Sequence, residues 1–374
     1  MIYFDNAATT FPKPEELYKA QDYAQRNLAF NAGRGSYEEA RNVSSVIDEC
    51  RSFLCKKANA KEVVFSSSVT SALNMIVTGL DLKAEDIVYY SPYEHNAVVR
   101  TLFAHSKKEG FKLVEIPLKD NYEIDIDKLE FLFSREKPSY LFMTHVSNVT
   151  GYILPVAEVS SLAHRFGAKV VIDGAQAFGL IDVDLNAMNI DIYCFAGHKT
   201  LYGPFGIAGY FTKEDNALVT SFFGGTGSDS LNVNMPTMKP DKYEPSSHNS
   251  VAIYGLLASS KWVFDKKPYE EESKKTRYLI NKLKQIPELH VYAYATQVSI
   301  VSFTCDGFDS NDFSQILYDD FGIATRSGYH CCPKIHELIG DIQYNGTVRV
   351  GIGAFNTYEE MDELIKAVEE IINN

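Results

Sequence analysis

Between about residues 61 and 212 the chain alternates short β-rich runs with amphipathic stretches, and that alternation admits few folds. The runs cover residues 62–65, 86–90, 112–116, 140–145, 169–172, 192–196 and 206–211. Helical spacing marks residues 71–80, 97–109 and 156–166, and Gly167 stands where a helix cap belongs. Strands separated by helices predict an α/β fold, with a seven-stranded, mainly parallel sheet covered on both faces. Ligands in such sheets bind past the carboxyl ends of the strands. Ser66–Thr70, His95, Asn148, Asp173 and Lys199 all fall there, so one polar site at one sheet edge is expected.

The chain's 374 residues exceed one ordinary hydrophobic core. Past Gly224-Gly225-Thr226-Gly227, helical patterns at 250–265, 311–320 and 358–372 accompany strand patterns at 290–293, 298–304 and 348–352. This predicts a large α/β domain over residues 15–250. A smaller α+β domain is expected over residues 251–374, joined by residues 1–14. A net charge of −13 opposes direct nucleic-acid or anionic-membrane binding through a general field. No apolar run reaches membrane-span length, and Met1-Ile2-Tyr3-Phe4-Asp5 lacks a basic segment before an apolar one. A cytoplasmic protein is expected. Cys50, Cys55, Cys194 and Cys305 read as buried free thiols, and no metal-ligand spacing is present.

The chemistry is read from the polar groups one at a time. Lys199, in Gly197-His198-Lys199, follows an apolar strand, and Asp173 ends another. A lysine amine so placed can form a Schiff base with pyridoxal 5′-phosphate (PLP), while the carboxylate holds the pyridine nitrogen protonated. A lone lysine is more often a solvated surface charge. Ser68, Val69 and Thr70 open a helix whose N-terminus could take a phosphate, or Ser68 could simply cap it. His95 could stack on a flat ring or be a structural imidazole. Asn148 could donate to a ring oxygen or shape a turn, and Gln176 could reach the same oxygen. Arg349 interrupts an apolar strand, where it could capture a carboxylate or form a structural ion pair. In Arg326-Ser327-Gly328-Tyr329-His330-Cys331-Cys332-Pro333, glycine and proline mark a loop. Arginine and histidine beside Cys331 should favour its thiolate.

Together these residues resemble the class-V aminotransferase-like cysteine desulfurases of the NifS/SufS type. The likeness runs from Asp5-Asn6-Ala7-Ala8-Thr9 to Phe355-Asn356-Thr357 through Glu94-His95, His145-Val146-Ser147-Asn148, Asp173-Gly174-Ala175-Gln176, Gly197-His198-Lys199 and Arg326–Cys331. The short cysteine loop is similar to that of the group-II, SufS-like branch. The resemblance implies a PLP-dependent transferase of type I fold and a homodimer with sites at the subunit interface. It implies that L-cysteine becomes L-alanine while sulfur stays as an enzyme persulfide for a protein acceptor, such as one in iron–sulfur cluster assembly. By position, Lys199 binds PLP, Asp173 pairs the pyridinium and His95 stacks on the ring. Asn148 and Gln176 hold the ring oxygen. Thr70 and His198 contact phosphate with Ser68 and Val69. Arg349 holds the substrate carboxylate with Arg326 and Asn148, and Cys331 attacks substrate sulfur. Val69 replaces a hydroxyl residue of the family phosphate loop. Ser247 keeps a hydroxyl that could reach phosphate across the dimer. Cys332 stands where alanine is common. Selenocysteine lysis, another PLP reaction on this scaffold, or a non-catalytic binding role are the rival readings.

Overall fold

Seven of the strands expected from the sequence form one sheet in a computed structural model, which describes residues 1–33, 35–213, 218–227 and 231–373. In chain order the first half runs β1 (Ile2–Tyr3), α1 (Glu15–Asn27), α2 (Glu38–Ala58), β2 (Glu62–Ser66), α3 (Val69–Gly79), β3 (Ile87–Tyr90), α4 (Asn96–Glu109), β4 (Lys112–Glu115), α5 (Ile126–Arg135), β5 (Tyr140–Thr144), α6 (Val156–Arg165), β6 (Lys169–Asp173), β7 (Ile192–Ala196) and β8 (Ala208–Thr212). The large sheet has the order β2-β8-β7-β6-β5-β3-β4. All its pairs are parallel except those of β8 with β2 and β7. Every residue of β7 and β8 is buried, as strands covered on both faces require.

The second half runs α7 (Ser250–Lys266), α8 (Tyr269–Leu283), β9 (Leu289–Tyr292), β10 (Ile300–Cys305), α9 (Ser310–Phe321), β11 (Ile323–Ala324), β12 (Arg326–Gly328), α10 (Ile335–Ile339), β13 (Thr347–Gly351) and α11 (Tyr358–Asn373). Strands β12-β13-β10-β9 form an antiparallel sheet. Its core includes Phe303, Phe313, Val348, Val350, Leu364 and also Phe4. Strand β1 pairs with β11 in parallel as a separate two-stranded sheet, which ties the N-terminal segment to the second half of the chain. Helix α7, at whose head the domain boundary was expected, packs on α1 and α2. Its Ala252, Ile253, Leu256 and Leu257 lie in the core of the large sheet.

Two local expectations need correction. Arg326–Gly328 was read as loop, but it pairs with β13 in the register Arg326↔Arg349. Glycine and serine on an edge strand give a weak β signal, and pairing overrides it. Helix α3 begins at Val69 rather than residue 71, because Ser68 supplies the cap: its Oγ accepts from the Ser71 N–H at 3.1 Å.

Candidate active site

The carboxyl ends of β5, β6 and β7 and the N-termini of α3 and α4 surround a cavity of about 310 Å³. It is lined by Ser68, Val69, Thr70, His95, Asn148, Asp173, Gln176, His198, Lys199, Arg326 and Arg349. The structure thus gathers nearly every expected site residue. Ser247 and Cys331 are the exceptions: Cys331 is exposed outside the lining, and Ser247 lines an adjoining cleft of about 610 Å³ that shares Ser67, Thr70 and Gly206 with the first.

Lys199 reaches the cavity on a tight turn after β7. Gly197 accepts from the Gly203 N–H at 2.7 Å, and a Cβ on Gly197 would lie 2.6 Å from the Ile207 carbonyl oxygen. Only glycine fits there. The His198 carbonyl, one peptide before Lys199, accepts from Thr9 Oγ1, Thr10 Oγ1, the Thr10 N–H and Lys13 Nζ. Burial pulls the Lys199 amine down to about 8, with Asp173 opposing and Arg349 and Arg326 adding to the fall. Among the described residues no carboxylate lies within ion-pair distance of Lys199.

Asp173 is 5% exposed, and burial pushes its carboxyl up. Its Oδ1 accepts from the Ala175 N–H at 3.0 Å, which opposes that rise. His95 caps α4 through Nδ1, which accepts from the Ala97 N–H at 3.0 Å. That bond leaves the proton on Nε2. Burial, with Lys199 and Arg326 adding, lowers His95 to about 4, so it is neutral. His198 is likewise lowered to about 4 by burial, and its ring stacks on Phe205. Its buried Nδ1 has no partner among the described residues.

These groups fit PLP. The cavity volume is that of a small-molecule site. A buried amine of lowered pKa, a buried carboxylate for a pyridinium, and a helix N-terminus with unpaired first-turn N–H groups are the chemistry the coenzyme needs. Asn148 donates Nδ2–H to the His330 carbonyl and Gln176 donates Nε2–H to the Ala7 carbonyl, both at 2.7 Å. Each amide keeps a second N–H. The hydroxyls of Ser67 and Ser68 both lie within hydrogen-bond distance of Ser71 Oγ, while Ser66 donates to the Ser68 carbonyl.

Cys331 is exposed on a loop in which His330 and Cys331 both have left-handed backbone, φ 46° and 57°. The loop is held by the Asn96 N–H on the Cys331 carbonyl at 2.7 Å and by Asn148 on His330. Arg326 Nη2 lies 3.4 Å from Cys331 Sγ. The expected help from histidine is absent: His330 is buried, turned to Thr347 Oγ1 at 2.9 Å, and held neutral by burial. Cys332 is fully buried, and burial with Glu94 pushes its thiol far up. The neighbouring cysteines are therefore chemically unlike.

Two groups beside the cavity were not assigned from the sequence. Glu94, fully buried, accepts from Ser91 Oγ and from the Thr144 N–H at 2.6 Å, and its Oε2 has no partner among the described residues. Asp5 pairs with Arg349 at 2.8 Å. A carboxylate directly before His95 at a strand end was the available signal for Glu94. Nothing local to Asp5 announces a partner 344 positions away.

A buried amine and a buried carboxylate on adjacent strand ends, facing a small-molecule cavity, define an α/β enzyme that holds a carbonyl coenzyme covalently. The chain belongs to the class-V aminotransferase family, whose model matches residues 2–364. Its coenzyme is PLP. A cysteine desulfurase of Escherichia coli (strain K12 / DH10B) is 30% identical over 385 aligned positions, spanning 99% of this chain and 93% of that protein. The apo structure of cysteine desulfurase from Thermococcus onnurineus NA1 superposes with a TM-score of 0.90 at 26% identity, covering 100% of this chain and 94% of that one. The cysteine desulfurase CsdA from Escherichia coli gives 0.87 at 26% identity, covering 99% and 94%.

Proposed function

We propose that the chain is a PLP-dependent cysteine desulfurase that converts L-cysteine to L-alanine and keeps the sulfur as a persulfide on Cys331. One observation carries the reading: an exposed thiol lies 3.4 Å from the guanidinium of Arg326, which lines the same cavity as Lys199. Transamination needs no such thiol. PLP, when bound, supplies an electron sink for the carbanion at the substrate Cα. Lys199 would hold the coenzyme through Nζ, and its free amine would move the proton at the substrate Cα. Asp173 keeps the ring nitrogen protonated, His95 presents a neutral ring to the coenzyme, and Asn148 and Gln176 donate to its oxygen. The first turn of α3 and His198 hold phosphate. Arg349 takes the substrate carboxylate. Cys331 thiolate then attacks the substrate sulfur, an S–S bond forming as the Cβ–S bond breaks with its electron pair left on carbon.

We read the protein as a homodimer in which Ser247 reaches the partner's phosphate. The exposed Phe222, Phe223, Leu231 and Val233, in the segment that leads to Ser247, support this. We divide the chain after α7, whose core belongs to the large sheet. Six unpaired cysteines favour the cytoplasm, and a protein acceptor for iron–sulfur assembly fits the acidic chain. The test is mass spectrometry of the peptide holding Cys331 and Cys332 after incubation with L-cysteine. A gain of one sulfur on Cys331 is expected; an unmodified peptide after measurable alanine release refutes the persulfide.

A further inference from the structure

Arg349 is a buried guanidinium, 1% exposed, whose donors are unevenly used. Nη1 donates to the Asn148 carbonyl and Nη2 to Asp5 Oδ1, each at 2.8 Å, while buried Nε has no partner among the described residues. Nε–H is thus an unused donor on a guanidinium that lines the cavity, a group suited to a carboxylate. Arg349 lines the cavity and Asp5 does not, so Asp5 pulls from behind rather than plugging the site. Arg326 faces Arg349 directly across β12 and β13, and cations in register repel. Among the described residues Asp5 is the only carboxylate within ion-pair distance of either. Asp5 is itself fixed: its carbonyl accepts from the Ala8 N–H and Tyr3 Oη, and its backbone bridges Gly351.

We propose that Asp5 is a positioning residue for the substrate carboxylate, holding the Arg349 guanidinium in place on the cavity wall. The proposal rests on Arg349 being the carboxylate receptor of the desulfurase reading. The test titrates the coenzyme absorbance of holoenzyme with L-alanine and with ethylamine, which differ only in the carboxylate. In Asp5→Asn, L-alanine binding should weaken at least tenfold, the scale of a charge-assisted contact. Ethylamine binding should hold within about twofold on the same grounds. The KM for L-cysteine should rise in step with kcat little changed, and Asp5→Glu, which keeps the charge, should recover part of the loss. Equal weakening of both amines, or tighter L-alanine binding, overturns the proposal. A parent enzyme that distinguishes the two amines yet releases no alanine from L-cysteine sinks the desulfurase reading alone, since the amine ratio still judges Asp5. If Asp5→Asn does not fold, the comparison is made between parent and Asp5→Glu, and an unchanged L-alanine to ethylamine ratio there also overturns it.

Discussion

Replacing Glu94 by glutamine should make the enzyme's stability less sensitive to pH, by an amount the structure sets. Burial, with Asp173 adding, pushes the Glu94 carboxyl from 4.5 to about 8, against the opposing bonds from Ser91 and Thr144. Between those values the folded chain holds a proton that the unfolded chain has released. Stability therefore falls as pH rises through this window, by about 1.4 kcal/mol per pH unit from this group. Glutamine cannot ionise, and its carbonyl oxygen can still accept from Ser91 and Thr144. The stability of Glu94→Gln minus that of the parent should thus rise by about 2–3 kcal/mol between about pH 5.5 and about pH 7.5. Titrating groups that do not interact with Glu94 cancel in the difference. Urea unfolding followed by the fluorescence of Trp262, the single tryptophan, measures it, because that ring stacks on Phe355 at 5.7 Å and is lost from it on unfolding. Differences that stay constant with pH would refute a protonated Glu94.

Three further outcomes follow from the same geometry. Covalent attachment of PLP to apoenzyme should accelerate with pH through a midpoint near 8, because the Lys199 amine is neutral above that value; a rate still climbing toward pH 10 by stopped-flow absorbance would contradict it. Cys331→Ala should keep the coenzyme absorbance and lose most sulfide release, whereas Cys332→Ala should keep turnover and cost about 1 kcal/mol of stability by emptying a buried site; sulfide assays and urea melts on both variants separate the thiols. Gly174→Ala would place a Cβ 2.0–2.4 Å from the Tyr193 ring, which is itself bonded to His145. It should destabilise by roughly 3 kcal/mol or more, and a melting temperature equal to the parent's would show that the ring can move.

The large sheet was legible because most of its strands carry apolar runs between turn signals, and several are followed closely by a polar residue at the same sheet edge. Helices α1, α2, α5, α8 and α10 were not read. For α2 the signal existed: Ala40, Val43, Ile47, Cys50, Leu54 and Ala58 are buried at helical spacing. For α8 it did not, because the buried face holds Glu272, Lys275 and Thr276. Glu272 accepts from Tyr202 and Ser299, so polar groups do the packing that apolar ones would advertise. The site's residues were readable one by one. Their mutual arrangement was not: that His330 turns inward while Cys331 faces out follows from two consecutive left-handed residues, a conformation no pattern of residue types foretells.

The grip of Thr9, Thr10 and Lys13 on the His198 carbonyl has a bearing on how the molecule comes into being. Phe4 is buried in the core built by the last hundred residues, and Ile2 and Tyr3 are zipped to Ile323 and Ala324. Residues 2–4 must therefore wait for partners more than 300 positions later in the chain before they can settle. A ribosome-bound chain with its whole seven-stranded sheet already formed would still have an unbraced coupling lysine. Coenzyme capture becomes a late step, available only once residues 323–324 have been made.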